Sequence, residues 1–243
     1  MNKTVLITGA SRGIGAALAK TFAEEGFGLS LCCRNSKNEL DTLAQELKEA
    51  HNISILTFQG DIGEECFVKN MIEETLNHFG HLDVLINNAG ISHIGLLTDM
   101  SLTEWNQIIS TNLTSAFLTC KYALPSMIHQ KQGKILNISS VWGNCGASCE
   151  VAYSTCKGGL NTFTKALGKE LAPSNIQVNA IACGVIDTQM NACFTSEERT
   201  QLAEEIPAGR FGTPEEVAHL ALQLVNRNNY LTGQIITLDG GWT

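Results

Sequence analysis

The segment "VLITGASRGIG", Val5 to Gly15, places three glycines between a short apolar run and the start of a helical pattern. Gly9, Gly13 and Gly15 allow the backbone to turn sharply and to approach a ligand closely, and the N–H groups at a helix start bind phosphate. The spacing is Gly-x-x-x-Gly-x-Gly, not the commoner Gly-x-Gly-x-x-Gly. Many sheets need only a tight turn, but the position directly after the first strand favours a dinucleotide site.

Beyond this turn, apolar runs alternate with helical patterns to the end of the chain. Runs such as "GLSLCC", "LDVLIN" and "IQVNAIA" are nearly continuous in apolar character, as in a parallel sheet covered on both faces. Seven such runs predict an α/β fold over residues 1–243, a single domain with a doubly wound, Rossmann-type, seven-stranded parallel sheet. A long helical stretch runs from Leu102 to about Gln130. Residues 186–212 fall outside the alternation and predict a helical flap over the substrate.

Composition narrows the class of protein. The chain has 243 residues, of which 44% are hydrophobic and 16% charged, so it can bury a real core. The formal net charge of −8 argues against nucleic acid and mildly against an anionic membrane. The sequence shows no apolar run long enough to cross a bilayer and no signal-peptide pattern, which predicts a cytoplasmic protein acting on small molecules.

Nine cysteines are scattered through apolar segments and do not frame loops. This distribution predicts free thiols in a reducing compartment. Neither the cysteines nor the six histidines show the spacing of a metal site, so no metal is expected.

The end of the second strand indicates which dinucleotide is bound. NAD sites usually place an Asp or Glu there, whereas this chain has Cys33 and then Arg34. Arg12 lies in the glycine turn, and two guanidinium groups without a carboxylate suit a 2′-phosphate. NADP is therefore favoured; the alternative is that both arginine side chains are merely solvated. Asp61 could accept a hydrogen bond from the adenine amino group or cap the following helix.

The segment "VAYSTCKGG" carries Tyr153 and Lys157, four residues apart and thus on one face of a predicted helix. By itself the pair is weak evidence, because such a Tyr usually packs while the Lys extends to solvent.

Five motifs together carry a resemblance to a known family. They are "TGASRGIG", "NNAG" ending at Gly90, "TNL" around Asn112, "NISS" ending at Ser140 and "YSTCK" from Tyr153 to Lys157. In this order and spacing the chain resembles the short-chain dehydrogenase/reductases over essentially its whole length. The tail, which begins "GRFGTPEEVAHLALQLV" at Gly209, is similar to that of the bacterial 3-oxoacyl-[acyl-carrier-protein] reductases.

The resemblance implies reduction of a 3-oxoacyl thioester to the 3-hydroxyacyl form with NADPH, in fatty-acid synthesis. Tyr153 would be the general acid, and Lys157 would bind the nicotinamide ribose and lower the Tyr153 pKa. Ser140, with Ser139 as its rival, would bind the substrate oxygen. Asn112 would hold a water that links Lys157 to solvent, or would satisfy a helix kink.

The predicted NADP(H) site draws on six segments of the chain. Its residues are Gly9, Ser11, Arg12, Gly13, Ile14, Gly15, Arg34, Asp61, Ile62, Asn88, Ala89, Gly90, Tyr153, Lys157, Gly184, Ile186 and Thr188.

Two features depart from the family pattern. Cys183 stands where the family usually has proline, which frees the backbone and puts a thiol near the cofactor, so we expect oxidants to inhibit through it. An acidic acyl carrier protein would also need a basic patch on this acidic chain. The candidates, which could equally be solvated, are Lys131, Lys134, Lys165 and Lys169.

The substrate is less well defined. Trp142 follows Ser140 closely, and this segment resembles a Gram-positive branch of the family in which some members are thought to reduce a ketone on a lysine of elongation factor P. Reduction of such a 5-aminopentanone modification is the alternative function. Trp142, His93 and Met190 are candidate pocket residues, although Trp142 could instead pack in the core.

The resemblance also implies a homotetramer, built through the helices 102–130 and 152–171 and the C-terminal strand. Members that only sense NADP typically lack the Tyr or the Lys, and this chain has Asn112, Ser140, Tyr153 and Lys157, so an enzyme is expected.

Overall fold

Seven parallel strands form one sheet in the order β3-β2-β1-β4-β5-β6-β7. The computed structural model describes residues 2–191, 194–226 and 228–243. The doubly wound, Rossmann-type sheet predicted from the sequence is confirmed. The strands are β1 (Thr4–Thr8), β2 (Gly28–Cys33), β3 (Ile55–Gln59), β4 (Val84–Asn87), β5 (Gly133–Ser140), β6 (Ile176–Cys183) and β7 (Ile235–Leu238).

The α-helices in the described ranges are α1 (Gly13–Glu24), α2 (Lys37–His51), α3 (Glu65–Phe79), α4 (Leu102–Ile109), α5 (Ser115–Gln130), α6 (Trp142–Cys145), α7 (Val151–Leu171), α8 (Ser196–Glu205) and α9 (Pro214–Asn226). The predicted helix from Leu102 to Gln130 is two helices, because a π-helical turn at 110–114 separates α4 from α5. Helix α9 was not among the predicted helices, although Pro at its first position and its buried Val217 and Ala221 are helix signals.

Helices cover both faces of the sheet. Phe22 of α1, Leu40 of α2 and Val217 of α9 are fully buried in one core layer. Met71 of α3 and Ala123 of α5 belong to the layer on the opposite face. Burying a side chain such as Leu or Phe contributes about 1.5–3 kcal/mol, which explains why the strands between the layers are apolar on both faces.

The strand order reverses beside β1, which pairs with β2 on one side and with β4 on the other. In open parallel sheets the connections leave in opposite directions at such a point, and a crevice opens at the carboxyl ends of the strands. The topology therefore predicts a binding crevice formed by the segments that follow Thr8, Asn87, Ser140 and Cys183.

The segment 186–212 is joined to the rest of the fold at its base. Ile186 and Gly212 form an isolated parallel bridge, in which Asp187 N donates to the Gly212 carbonyl at 2.8 Å and Gly212 N donates to the Val185 carbonyl at 2.9 Å. Helix α8 lies within this segment. A role for it as a substrate flap stays a prediction.

The eight cysteines within the described ranges are free thiols, and Cys193 lies outside those ranges. A search of the described helices for one both long and apolar enough to span a membrane finds none.

Candidate active site

A cavity of about 950 Å³ opens at the carboxyl ends of the strands. All seventeen residues predicted to bind the cofactor line it, from Gly9 in the first turn to Thr188 after β6. Ser140 lines it as well. Asn112 is not among the lining residues that the structure describes.

The turn before α1 has the geometry of a phosphate cradle. Gly9 has φ +66°, a left-handed conformation that favours glycine. A Cβ atom on Gly15 would lie 2.0 Å from the Gly9 carbonyl oxygen, so only glycine permits this close approach. The first N–H groups of α1 lack acceptors within the helix and face an incoming anion.

Asn88 fixes the position of the turn. Its side-chain amide donates to the Thr8 carbonyl at 2.8 Å and to the Gly9 carbonyl at 3.1 Å. The Thr8 hydroxyl in turn accepts from the backbone N–H groups of Asn88 and Ala89, each at 2.9 Å. The ends of β1 and β4 are thereby locked together beneath the cavity.

Two arginines line the cavity. Arg12 immediately precedes α1, and Arg34 follows β2. The Arg34 guanidinium pairs with the Asp61 carboxylate at 2.9 Å. Asp61 also accepts from Gly63 N at 2.9 Å, so it closes a turn. The N-cap position of α3 is Glu64, whose side chain makes no capping hydrogen bond.

Tyr153 and Lys157 lie on successive turns of α7, with Lys157 Nζ 5.5 Å from the centroid of the Tyr153 ring. Lys157 is buried, and its Nζ donates to the Ile138 carbonyl at 2.8 Å. Burial lowers the Lys157 pKa to about 8. The lysine is thus held in the cavity wall and does not extend to solvent.

The structure corrects the expected Tyr153 pKa. Burial raises the pKa of Tyr153 above its ordinary value, and the neighbouring Cys183 and Glu150 add to the rise. Interaction with the Ser140 hydroxyl lowers it, but by less than burial raises it. The net shift is upward because desolvation of the phenolate outweighs the favourable contacts.

Adjacent serines at the end of β5 have different partners, since successive strand residues face opposite ways. Ser139 Oγ donates to Asn161 Oδ1 at 2.6 Å, which commits its proton to the protein. Ser140 Oγ accepts from Trp142 N at 3.2 Å and interacts with Tyr153. Of the two, Ser140 is the hydroxyl on the Tyr153 side.

Asn112 lies in the π-helical turn between α4 and α5, behind the cavity wall. Its Oδ1 accepts from Ile91 N at 3.1 Å, and its Nδ2 donates to the Ile91 carbonyl at 2.9 Å and the Ile108 carbonyl at 3.0 Å. These contacts are those of a residue that satisfies a helix irregularity. The water-holding role stays a prediction.

Cys183, at the end of β6, lines the cavity near Tyr153 and Lys157. Burial raises its pKa to about 12, and the nearby Lys157 offsets only part of that rise. The thiolate is the reactive form of cysteine, and the raised pKa makes it scarce at neutral pH. Although Cys183 lies in the cavity, the expectation that oxidants inhibit through it is therefore revised.

The cavity lining also includes aromatic and acidic side chains. The rings of Trp142 and Trp242 lie 4.9 Å apart, centroid to centroid, at 58°. Trp142 and Met190 line the cavity as predicted candidates, while His93 is not among the described lining residues. Sequence reasoning missed Trp242 and Glu150, and also the α8 residues Glu198, Gln201, Leu202 and Glu205.

A signal for Trp242 was present in the sequence. It follows the last strand within "LDGGWT", and a β7 strand beside β6 delivers its carboxyl end to the same edge as Cys183. Glu150 had a weaker signal, because it directly precedes the helix that carries Tyr153.

Comparison with known proteins agrees with this architecture. The sequence model of the family described as short chain dehydrogenase matches residues 3–199. The chain is 39% identical over 243 residues to "Uncharacterized oxidoreductase YmfI" of Bacillus subtilis, covering 100% of this chain and 99% of that protein. It is 40% identical over 240 residues to "3-oxoacyl-[acyl-carrier-protein] reductase FabG" of Aquifex aeolicus, covering 98% and 96%.

Among solved structures, the chain is similar to YwfH, described as an NADPH dependent reductase involved in bacilysin biosynthesis. The TM-score is 0.95 at 26% sequence identity, and the match covers 100% of this chain and 99% of the other.

Proposed function

The chain belongs to the short chain dehydrogenase family, and we propose that it uses NADPH to reduce a ketone to a secondary alcohol. One observation carries the proposal: Ser140, Tyr153 and Lys157 meet in a single cavity whose other end is the glycine turn. The two hydroxyls bind a carbonyl oxygen there, and the turn holds a dinucleotide.

The residues present fit a phosphorylated dinucleotide. The glycine cradle and the start of α1 accept the pyrophosphate. Arg34 follows β2, where NAD sites place a carboxylate, and Arg12 before α1 supplies a second positive charge. Ile186 and Thr188 line the same cavity, and Thr188 lies against Gly13 of the glycine turn. When bound, NADPH supplies the hydride that reaches the carbonyl carbon.

The chain supplies the proton. Ser140 and Tyr153 donate hydrogen bonds to the carbonyl oxygen, and Tyr153 gives its proton to that oxygen as the alcohol forms. The raised pKa keeps Tyr153 protonated at neutral pH, as a general acid must be. Lys157, one helical turn away, stabilises the phenolate that remains.

For the substrate, a 3-oxoacyl thioester is supported by the names of the relatives, several of which are 3-oxoacyl-[acyl-carrier-protein] reductases at 38–40% identity. The proposed carrier-binding lysines do not surround the cavity. Lys134 is at the start of β5, the opposite end from Ser140, and its Nζ donates to the Asn228 carbonyl at 2.6 Å.

A ketone that bears an amino group is the second candidate, with the 5-aminopentanone modification on elongation factor P as the example. The observation that favours it is the half-buried carboxylate of Glu150 in the cavity, beside Trp142 and Tyr153. An acidic wall suits an amine and adds nothing for a neutral thioester.

We also propose that the protein assembles as a homotetramer. Leu102 of α4, Phe117 of α5 and Val151 of α7 are exposed apolar side chains on the helices that would pair. Sedimentation at a tetramer mass tests this proposal, and a monomer mass would contradict it.

The enzymatic proposal is tested by the loss of NADPH absorbance with acetoacetyl-CoA and with simple methyl ketones, using NADH in parallel. Tyr153→Phe is expected to lower kcat by about 10²–10⁴-fold. Its NADPH affinity, measured by cofactor fluorescence, is expected to stay within about fivefold of the parent, since one hydrogen bond is worth about 1 kcal/mol. Turnover that survives this substitution would overturn the assignment of the acid.

A further inference from the structure

A second crevice adjoins the main cavity at the glycine turn. Its lining residues are Gly13, Asp187, Thr188, Gln189 and Arg199. Thr188 packs against the turn, since a Cβ atom on Gly13 would lie 3.3 Å from Thr188 Cγ2. The segment that carries α8 therefore brings the guanidinium of Arg199 to the outer side of the turn that is proposed to bind phosphate.

Arg199 contacts the chain at both ends of the segment that carries α8. Its Nη2 donates to Asp187 Oδ1 at 2.8 Å, and its guanidinium carbon lies 4.8 Å from the centroid of the Phe211 ring. Asp187 and Phe211 are the neighbours in sequence of Ile186 and Gly212, which form the parallel bridge at the base. The position of the guanidinium is thus set by the base of the segment as well as by α8.

The contact with Asp187 leaves most of the Arg199 guanidinium available to a ligand. Within the described part of the chain, Arg199 donates one side-chain hydrogen bond, whereas a guanidinium carries five N–H donors. Arg210, in the same segment, is held more fully, because it donates to both carboxylate oxygens of Glu216 and to the Phe211 carbonyl. The Asp187 side chain is exposed, and a surface ion pair of this kind is weak, so a stronger anion can displace the carboxylate.

The lining of the main cavity, over the residues that the structure describes, contains more carboxylates than cations. The carboxylates are Asp61, Glu150, Glu198 and Glu205, and the cations are Arg12, Arg34 and Lys157. Arg34 is already paired with Asp61. A dinucleotide brings a doubly anionic pyrophosphate into these surroundings, and a further cation beside the glycine turn offsets the repulsion from the carboxylates.

We propose that Arg199 binds the pyrophosphate of the cofactor and that Asp187 competes with the pyrophosphate for this guanidinium. The inference rests on the proposed use of NADPH and deepens it by adding a binding residue from α8. Arginine–phosphate pairs are charge-assisted and frequently bidentate, so the pyrophosphate is the better acceptor of the two. Because NADPH and NADH share the pyrophosphate, Arg199 strengthens the binding of both, in contrast to Arg34.

The test is fluorescence titration of the cofactor-free protein with NADPH and with NADH. In Arg199→Gln both Kd values should rise about 10-fold, the effect of losing a hydrogen bond to a charged group. In Asp187→Asn both Kd values should fall about two- to fivefold, because the competing surface ion pair is removed. Asp187→Asn added to Arg199→Gln should change neither Kd further. Arg210→Gln, an exposed arginine of the same segment paired with Glu216, is the matched control and should leave both Kd values unchanged.

The opposite signs of the two single variants separate ligand binding from a merely structural ion pair. If the pair only holds the segment in place, both variants break it and both weaken the cofactors, which overturns the proposal. No gain in Asp187→Asn, or an equal gain with and without Arg199, overturns the competition, since the carboxylate would then not act through this guanidinium. A loss confined to NADPH in Arg199→Gln would place Arg199 at the 2′-phosphate and overturn the pyrophosphate assignment.

Failure of this inference can be told apart from failure of the proposed function. If the parent binds NADPH and reduces ketones while Arg199→Gln changes neither Kd, the assignment of Arg199 is wrong and ketone reduction stands. If the parent binds neither cofactor, the proposed use of NADPH is wrong, and the role of Arg199 is overturned with it.

Discussion

Lys157 Nζ lies 5.5 Å from the centroid of the Tyr153 ring and donates a 2.8 Å hydrogen bond to the Ile138 carbonyl. An ammonium group buried in this way is costly, since burial disfavours its charged form. The buried ammonium of Lys157 lies where its positive charge can stabilise the Tyr153 phenolate.

The first prediction concerns this cost. Burial lowers the Lys157 pKa from 10.5 to about 8, so between these values the unfolded chain binds more protons and native stability rises with pH. Below about pH 8 the penalty is complete. Lys157→Met removes it, and we expect the variant to be about 2 kcal/mol more stable than the parent at pH 7, after allowing about 1 kcal/mol for the lost hydrogen bond. Urea unfolding at a series of pH values measures the difference.

The advantage of Lys157→Met should shrink as the pH is raised from 8 toward 10. Lys165→Met, an exposed site on the same helix, serves as the control and should show no such trend. A stability difference that does not change with pH would show that Lys157 is not destabilised by burial.

A second prediction contrasts two glycines. In Gly15→Ala the new Cβ would lie 2.0 Å from the Gly9 carbonyl oxygen, so the glycine turn must shift. We expect the unfolding free energy to fall by several kcal/mol, or NADPH binding to be lost. In Gly158→Ala, within α7, the nearest atom lies at an ordinary 3.4 Å, and the better helix propensity of Ala should add about 0.5–1 kcal/mol. Thermal and urea unfolding of both variants check this. Equal effects would argue against the close approach at Gly15.

Much of the fold was predictable from local pattern. The strands are continuous apolar runs in the sequence because both faces of the sheet are buried. The glycines after the first strand predicted the position of the ligand crevice. The break at 110–114 was not predictable in the same way, because Asn112 satisfies it through contacts with Ile91, a residue far from it in sequence. Periodicity reports local spacing and carries no information on such partners.

The candidate site likewise has a part that local sequence pattern predicts and a part that depends on contacts between distant segments. Residues in recurrent motifs, such as Ser140 and Tyr153, were identified from the sequence. The sign of the Tyr153 pKa shift was not, since it depends on burial and on Glu150 and Cys183, which arrive from different segments. Trp242 was missed although it follows the last strand, because its place at the cavity depends on the pairing of β7 with β6.

A third prediction concerns thiol reactivity. Burial raises the Cys183 pKa to about 12, so at neutral pH its thiolate is roughly 10³-fold scarcer than that of an ordinary cysteine. Iodoacetamide should therefore label the exposed Cys66 and Cys145 well before Cys183, as followed by peptide mass spectrometry. Inactivation by oxidants should be the same in Cys183→Ala as in the parent. Rapid labelling of Cys183 at pH 7 would contradict the raised pKa and restore the thiol as the site of oxidative inhibition.

The last prediction concerns cofactor choice. Arg34 follows β2 where a carboxylate would bind an unphosphorylated ribose, and it is held by Asp61 at 2.9 Å with its side chain still partly exposed. In Arg34→Ala we expect the Kd for NADPH to rise about 10–100-fold, the effect of losing a hydrogen bond to a charged group, while the Kd for NADH stays nearly constant. Fluorescence titration of both cofactors measures this. Arg210→Ala removes an exposed arginine paired with Glu216 and serves as the control. If NADPH and NADH weaken equally, Arg34 acts by positioning Asp61, and Asp61→Asn should then reproduce the loss; a change for NADPH alone places the 2′-phosphate at Arg34.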